Sequence, residues 1–324
     1  MQSNNDYNIN DFLGRREPRN PLIPCKSINL LHLQSMSTES TYKETGGAVT
    51  RFVNTGISIL KIVLLSKLRN RIPKTSEKRC IVLGNGHSLK ISLQKHKELF
   101  SSLPLFCVNS FAATEEYTQL KPANYVILDY GFWKSNDKAI LDVIHSIKTK
   151  TSWKMRLFVP QTSSKSLRFK ELTENSNIEL HYFNYTVFKG FDTIAYWFYK
   201  RDLAMPQSQN VLVAATFLAV NMNFSEVDVV GADHTWHESL HVDEKNILHL
   251  KHIHFYDDEK QVKYIPFAKG AHLSETYRMD EIFNTWAKAF YGYIAVERYS
   301  RTRHCKIYNA SEISFVDAFE RKKL

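Results

Sequence analysis

Six short apolar runs punctuate the middle of this chain: Cys80–Leu83, Leu105–Val108, Tyr125–Leu128, Leu157–Val159, Ile178–Phe183 and Val227–Val230. Each is too short for a helix and most are apolar throughout, with Glu179, His181 and Asp228 as the polar exceptions, as suits strands of a parallel sheet covered on both faces. Between them lie stretches with helical spacing of apolar residues, Leu89 to Phe100, Lys138 to Lys148 and Val211 to Met222. Short buried strands alternating with helices make βαβ units. The expected fold is therefore α/β and Rossmann-like: a mostly parallel sheet with helices on both faces and a helical C-terminal portion. That portion is read as a long aromatic-rich helix over Glu275 to Arg301, a short strand at Lys306–Tyr308 and a last helix from Glu312 to Phe319.

The first 78 residues have a different pattern. Residues 1–50 are rich in Asn, Ser, Thr and charge, with Pro18, Pro21 and Pro24, and read as a poorly ordered arm. Residues 51–78 read as a basic amphipathic helix and its continuation, in which Phe52 to Arg71 carries a run of Ile, Leu and Val. Lys61, Lys67, Arg69, Arg71 and Lys74 accompany it, and no acid appears until Glu77. Such a segment is attracted to an anionic bilayer, so residues 52–74 are expected to make peripheral membrane contact. Packing of the same helix on the domain is the other reading. Residues 79–324 form the expected catalytic domain.

Composition adds bounds. The 324 residues carry a net charge of +10, which suits nucleic acid, an anionic membrane or a phosphorylated substrate equally. No helix-turn-helix, RNP or zinc-finger pattern is present, so a nucleic-acid partner is not expected. The four cysteines, Cys25, Cys80, Cys107 and Cys305, have no metal-ligand spacing, and two lie in apolar runs. Reduced, buried thiols of this kind suit the cytoplasm. Met1 to Asn20 lacks the apolar stretch of a signal peptide. The expected location is cytoplasmic, on the inner face of the cell membrane where the basic helix engages it.

The sharpest motif is Val82-Leu83-Gly84-Asn85-Gly86-His87-Ser88-Leu89. A strand runs into Gly-Asn-Gly, and Ser88 is placed to cap the helix that follows. The glycines allow close backbone approach, and amides at a helix start attract phosphate. The loop falls at the carboxyl end of the first strand, where open α/β sheets bind ligands. Asn109 and Asp129 end the next two strands at the same edge.

This series resembles the bacterial lipooligosaccharide sialyltransferases and the related Rossmann-like flagellin-glycosylation (motility accessory factor) proteins. The resemblance covers roughly residues 79 to 320. It implies an inverting, metal-independent glycosyltransferase. The donor would be a nucleotide-activated sugar, CMP-linked and sialic-acid-like, and the acceptor a cell-surface glycan. It implies that Gly84, Asn85, Gly86, Ser88, Asn109, Asp129, Asn210 and Asp233 hold the donor, with Gly231-Ala232-Asp233 matching a Gly-x-Asp strand end. It further implies that His272 is the catalytic base. Thr235 and His241 stand where the family places two tyrosines on the leaving phosphate, and Tyr308-Asn309-Ala310-Ser311 matches a late strand end. No cofactor is implied beyond the donor substrate, and a homo-oligomer is compatible with the reading. Two other classes stay open: a pterin-type pyrophosphokinase using ATP and magnesium, and a non-enzymatic nucleotide- or glycan-binding module.

A histidine cluster follows the sixth run: His234, His237, His241, His249, His252 and His254. Within it, His237-Glu238-Ser239-Leu240-His241 matches the H-E-x-x-H pattern of zinc peptidases. That chemistry requires both histidines on one helical face. The surrounding residues do not continue an apolar helix, and a polar loop at the mouth of the site is the preferred reading.

Overall fold

The computed structural model describes residues 47–252, 263–269 and 275–324. The expected arm falls almost wholly outside them, as do His254 and His272. The apolar runs form strands β1 (Arg79–Leu83), β2 (Leu105–Val108), β3 (Asn124–Val126), β4 (Met155–Pro160), β5 (Ile178–Phe183) and β6 (Glu226–Val230). A small antiparallel sheet contributes β7 (Leu240–Val242), β8 (Leu248–His252) and β9 (Lys263–Pro266), and β10 (Lys306–Asn309) and β11 (Glu320–Arg321) complete the set. The main sheet has eight strands in the order β11-β10-β6-β1-β2-β3-β4-β5, every neighbouring pair parallel.

Helices are α1 (Ala48–Leu65), α2 (Leu89–Lys95), α3 (Lys97–Ser102), α4 (Glu116–Leu120), α5 (Gly131–Lys134), α6 (Lys138–Lys150), α7 (Leu167–Leu172), α8 (Asp192–Tyr199), α9 (Val211–Asn221) and α10 (Met279–Arg301). They divide between two cores because strand side chains alternate across the sheet. Ile81, Leu83, Cys107, Tyr125 and Leu157 meet residues of α2 to α7, such as Leu89, Ile147 and Leu172. Cys80, Val82, Phe106, Val126 and Phe158 meet α8, α9 and α10 through Tyr199, Phe217 and Tyr299. From Leu212 to Asn221 every residue of α9 is buried, which is why this helix shows no polar face in the sequence.

The chain steps from β1 to β5 with its connections on one face. It then crosses the opposite face and returns past β1 to β6. Right-handed crossovers require that change of face when the direction of winding reverses. The reversal puts a topological switch point between β1 and β6, where the loops leaving the two strands diverge.

Several expectations need correction. No helix forms over 312–319: Ser314 Oγ donates to the Ala232 carbonyl at 2.6 Å and the Phe315 amide to the Asp233 carbonyl at 2.9 Å, so the segment serves as a strap on the β6 turn. The stretch Leu89 to Phe100 breaks at His96, whose backbone leaves the helical region. The helix read over Phe52–Arg71 starts at Ala48 and stops at Leu65, with Ser66 extended. The basic residues from Lys67 onward therefore lie in a connector, not on the helix.

Candidate functional site

The carboxyl edge at the switch point is built from two turns pressed together. The Gly84 amide donates to the Val230 carbonyl at 2.7 Å and the Gly86 amide to the Gly231 carbonyl at 3.0 Å. Gly231 adopts φ +70, a left-handed conformation that favours glycine. A Cβ at Gly86 would lie 2.5 Å from the Asp233 Cγ, and one at Gly84 would overlap the Gly231 carbonyl oxygen. The glycines of the motif thus serve backbone-to-backbone packing.

Asp233 crosses this junction. Its carboxylate accepts from the Ser88 amide at 2.7 Å and from Ser88 Oγ at 2.5 Å. Burial raises its pKa, and the Ser88 hydrogen bonds and the neighbouring His87 work in the other direction. Ser88 was expected to cap α2 with its hydroxyl; its hydroxyl is instead a donor to Asp233, and its backbone is already helical. The amides of Gly86 and Ser88, expected to cradle a phosphate, are both engaged within the protein.

Asn85 stands differently. Its Nδ2 donates to the Val108 carbonyl at 3.3 Å, linking the β1 turn to the tip of β2. Its Oδ1 is buried and has no hydrogen-bond partner among the described residues. Leaving such an acceptor unpaired costs about 1–3 kcal/mol. Beside it, Asn109 follows β2 directly and holds φ +44. Tyr125, wholly buried on β3, fixes that strained turn: its hydroxyl donates to the Asn109 carbonyl at 2.6 Å and accepts from the Ala112 amide at 2.8 Å. Asn109 Oδ1 in turn accepts from the Leu128 amide at 3.2 Å. Asp129 is the next residue; it is exposed, and its Oδ1 accepts from the Gly131 amide at 2.8 Å. Asn210 caps α9 through the Leu212 amide at 2.7 Å, and the Leu212 side chain packs against Gly84. The tips of β1, β2 and β3, the β6 turn and the start of α9 are therefore linked by contacts.

No protein-family model matches this chain, and no curated protein matches it. Among solved structures, the chain is similar to the MAf glycosyltransferase from Magnetospirillum magneticum AMB-1, with 11% identity and a TM-score of 0.46 over 86% of this chain and 38% of that one. The chain spans less than half the length of that protein, and the likeness is too distant to carry a residue from one to the other.

The remaining expected residues lie further along. Thr235 is half-buried in the turn after β6. His241 is exposed on β7, with its ring 5.3 Å from Tyr264 and 6.4 Å from His249. His237 lies in a 3-10 turn over Trp236–Ser239 and His241 on a strand, so the helical face that H-E-x-x-H needs does not form. His272 lies outside the described residues.

Two features were not legible in the motif. His234, 6% exposed and at φ +54, shares a 2.8 Å hydrogen bond with Tyr293 of α10 and stacks on Trp236. Burial pushes its pKa down to about 3, so it is neutral at ordinary pH. The second is the strap after β10, where Ser311 Oγ accepts from the Ala232 amide at 3.0 Å. The Tyr308-Asn309-Ala310-Ser311 match marked this place without its role. A cleft of about 610 Å³ is lined by Lys95, Arg321, Lys322 and Lys323 together with Ala310 and Ser311 of this strap, and by none of the residues expected to hold the donor.

Proposed function

We propose that this protein is a glycosyltransferase that binds a nucleotide-activated sugar at the carboxyl edge where Asn85 and Asn109 meet. The observation that carries this reading is the buried, unpartnered Oδ1 of Asn85 at the switch point. An acceptor in that position suits a ligand hydroxyl or exocyclic amine, the donor groups of a nucleoside and a sugar. The switch point is where doubly wound sheets bind nucleotides. Asn109 and Asn210, fixed by their own hydrogen bonds, would orient the donor, with Asp129 at the outer rim. Asp233 would act indirectly, by holding the two turns in register.

In the proposed reaction an acceptor hydroxyl attacks the anomeric carbon, the bond from that carbon to the phosphate oxygen breaks, and configuration inverts. His272 would take the acceptor's proton. The Thr235 hydroxyl and the His241 ring would donate hydrogen bonds to the departing phosphate. A CMP-linked sugar and a cell-surface glycan are the proposed substrates, as the resemblance implies.

The test is a thermal-shift series with CMP, UDP, GDP and ATP, with and without magnesium, on the wild type and Asn85→Ala. A nucleotide at a hundredfold its Kd stabilises by about 2.7 kcal/mol. We expect a CMP response without magnesium in the wild type that is lost in Asn85→Ala, while the unliganded variant melts no lower. Equal responses in both proteins would remove Asn85 from the site. Stabilisation by ATP only with magnesium would favour the pyrophosphokinase reading. Turnover of a CMP-sugar that survives His272→Ala would remove that base.

A further inference from the structure

Helix α1 is built inside out. The side facing the protein is its polar side: Thr55 and Ser58 are buried, and Arg51, Asn54 and Lys61 are half-buried beside them. Ser58 Oγ donates to the Lys189 carbonyl and accepts from the Lys189 amide, both at 2.9 Å, and Thr55 Oγ1 accepts from the Phe191 amide at 3.1 Å. The side facing away carries Phe52, Val53, Ile57, Leu60, Val63 and Leu64, with Phe52 72% and Val63 74% exposed. Ile62 alone among the large apolar residues of the helix reaches the core. A helix of a water-soluble surface shows the reverse arrangement. An apolar face of this extent, turned outward along an entire helix, marks an interaction surface.

The face is held in place. After α1 the connector is clamped to the domain: Ser66 Oγ donates to the Leu203 carbonyl at 2.6 Å, Asn184 brackets both the amide and the carbonyl of Lys67, and the Arg71 guanidinium donates to the Arg201 carbonyl at 2.7 Å. These bonds fix which side of α1 points outward.

Charge identifies the occupant. Between residues 45 and 76 the sequence holds Arg51, Lys61, Lys67, Arg69, Arg71 and Lys74 and no acid. Lys61, Lys189 and Lys288 lie near enough that the other two lower the proton affinity of Lys189, after burial, the larger cause. A second copy docked through the same face would bring two acid-free basic segments together, since a two-fold contact matches a surface with itself. An anionic lipid surface offers the apolar layer and the opposite charge at once. The adjoining helix α8 is tied to this segment at both ends and exposes Trp197, with the Arg201 guanidinium 3.6 Å over its ring. An aromatic ring beside a cation is a common element of membrane interfaces.

We propose that the outward face of α1 docks this protein onto an anionic bilayer, with the helix lying in the plane of the interface. The 18 residues are long and apolar enough to cross a membrane by length and composition. Crossing would carry the 189–191 loop, to which one side of α1 is hydrogen-bonded, into the hydrocarbon with it, and irregular backbone exposed to lipid is not tolerated there. Docking is independent of the transferase reading, because it is measured by partition and not by turnover.

The experiment is cosedimentation of the full chain with vesicles of phosphatidylcholine alone and of phosphatidylcholine mixed with phosphatidylglycerol, together with sedimentation velocity without lipid. The variants are Ile57→Asp/Leu60→Asp, which alters only exposed positions, and Lys67→Glu/Arg69→Glu. We expect the wild type to bind the mixed vesicles at least about tenfold more strongly than the neutral ones. Each variant should lose about tenfold or more of that binding while keeping the wild-type melting temperature. Bound wild type should be released by alkaline carbonate, as an interfacial helix is. No binding of the wild type, equal binding by Ile57→Asp/Leu60→Asp, or retention through carbonate extraction would each overturn the proposal. So would a lipid-free dimer abolished by the same aspartates, which would assign the face to a protein partner.

Discussion

Acidification should weaken this fold through His234, and the effect has a distinctive slope. The ring is buried and pairs with the Tyr293 hydroxyl, and that burial lowers its pKa from the ordinary 6.5 to about 3. In the unfolded chain the imidazole takes up a proton below about pH 6.5; in the folded chain it does not until about pH 3. Within that window the unfolded state binds more protons, so stability falls as pH falls, by about 1.4 kcal/mol per pH unit. At about pH 5 the loss relative to neutral pH is about 2 kcal/mol from this residue alone. Asp233 and Asp202, whose pKa values burial raises, act in the opposite sense just above the unfolded carboxylate value. The informative quantity is therefore the difference between the wild type and His234→Asn. Asparagine accepts the left-handed backbone at φ +54 and does not titrate. It should lower stability by a constant amount through lost packing on Trp236, and flatten the pH dependence by about 2 kcal/mol between neutral pH and about pH 5. Urea denaturation across that range gives both curves. Parallel curves would show that His234 titrates alike in the folded and unfolded chains, as a solvated ring does, and would refute the reasoning.

Two further outcomes follow from packing and charge. Gly84→Ala should cost about 1–3 kcal/mol, because the new Cβ meets the Gly231 carbonyl and lies 2.8 Å from Leu212 Cδ1; Gly56→Ala, with nothing within 4 Å, should instead raise stability by up to about 1 kcal/mol through helix propensity. Paired thermal melts check the contrast, and a Gly84→Ala protein as stable as wild type contradicts the two-turn packing. Asp228 is fully buried between Arg79 at 2.6 Å and Lys322 at 3.0 Å. Asp228→Ala should therefore destabilise by about 3–5 kcal/mol, measured by urea unfolding; a loss below about 1 kcal/mol would mean that solvent replaces the carboxylate.

The sheet was readable because strands covered on both faces are mostly apolar, and each of the six runs from Cys80 to Val230 became a strand of the main sheet. The glycine motif was readable as a tight turn, and the residues Asn85, Asn109 and Asp129 were readable as strand tips on one edge. Local pattern sufficed for these because each depends on neighbours within a few residues. What each polar group is bonded to depends on distant parts of the chain. Ser88 stands as a cap in the sequence, yet Asp233, 145 residues away, receives its hydroxyl. Helix formation was expected over 312–319, yet the β6 turn draws that segment into a strap through Ser314 and Phe315.

Helix α1 shows the division most clearly. Its apolar content and the basic residues after it are written in the sequence. Hydropathy alone leaves the apolar side two destinations, an anionic bilayer or the core of the domain, because burial of apolar surface drives both. Only the fold, by supplying the backbone groups of 189–191 as partners for Thr55 and Ser58, turned the polar side inward and left the apolar side facing out. Sequence determined which residues are apolar and with what period. Tertiary structure decided which way that period faces, since orientation is set by hydrogen-bond partners that lie far apart along the chain and meet only once it has folded.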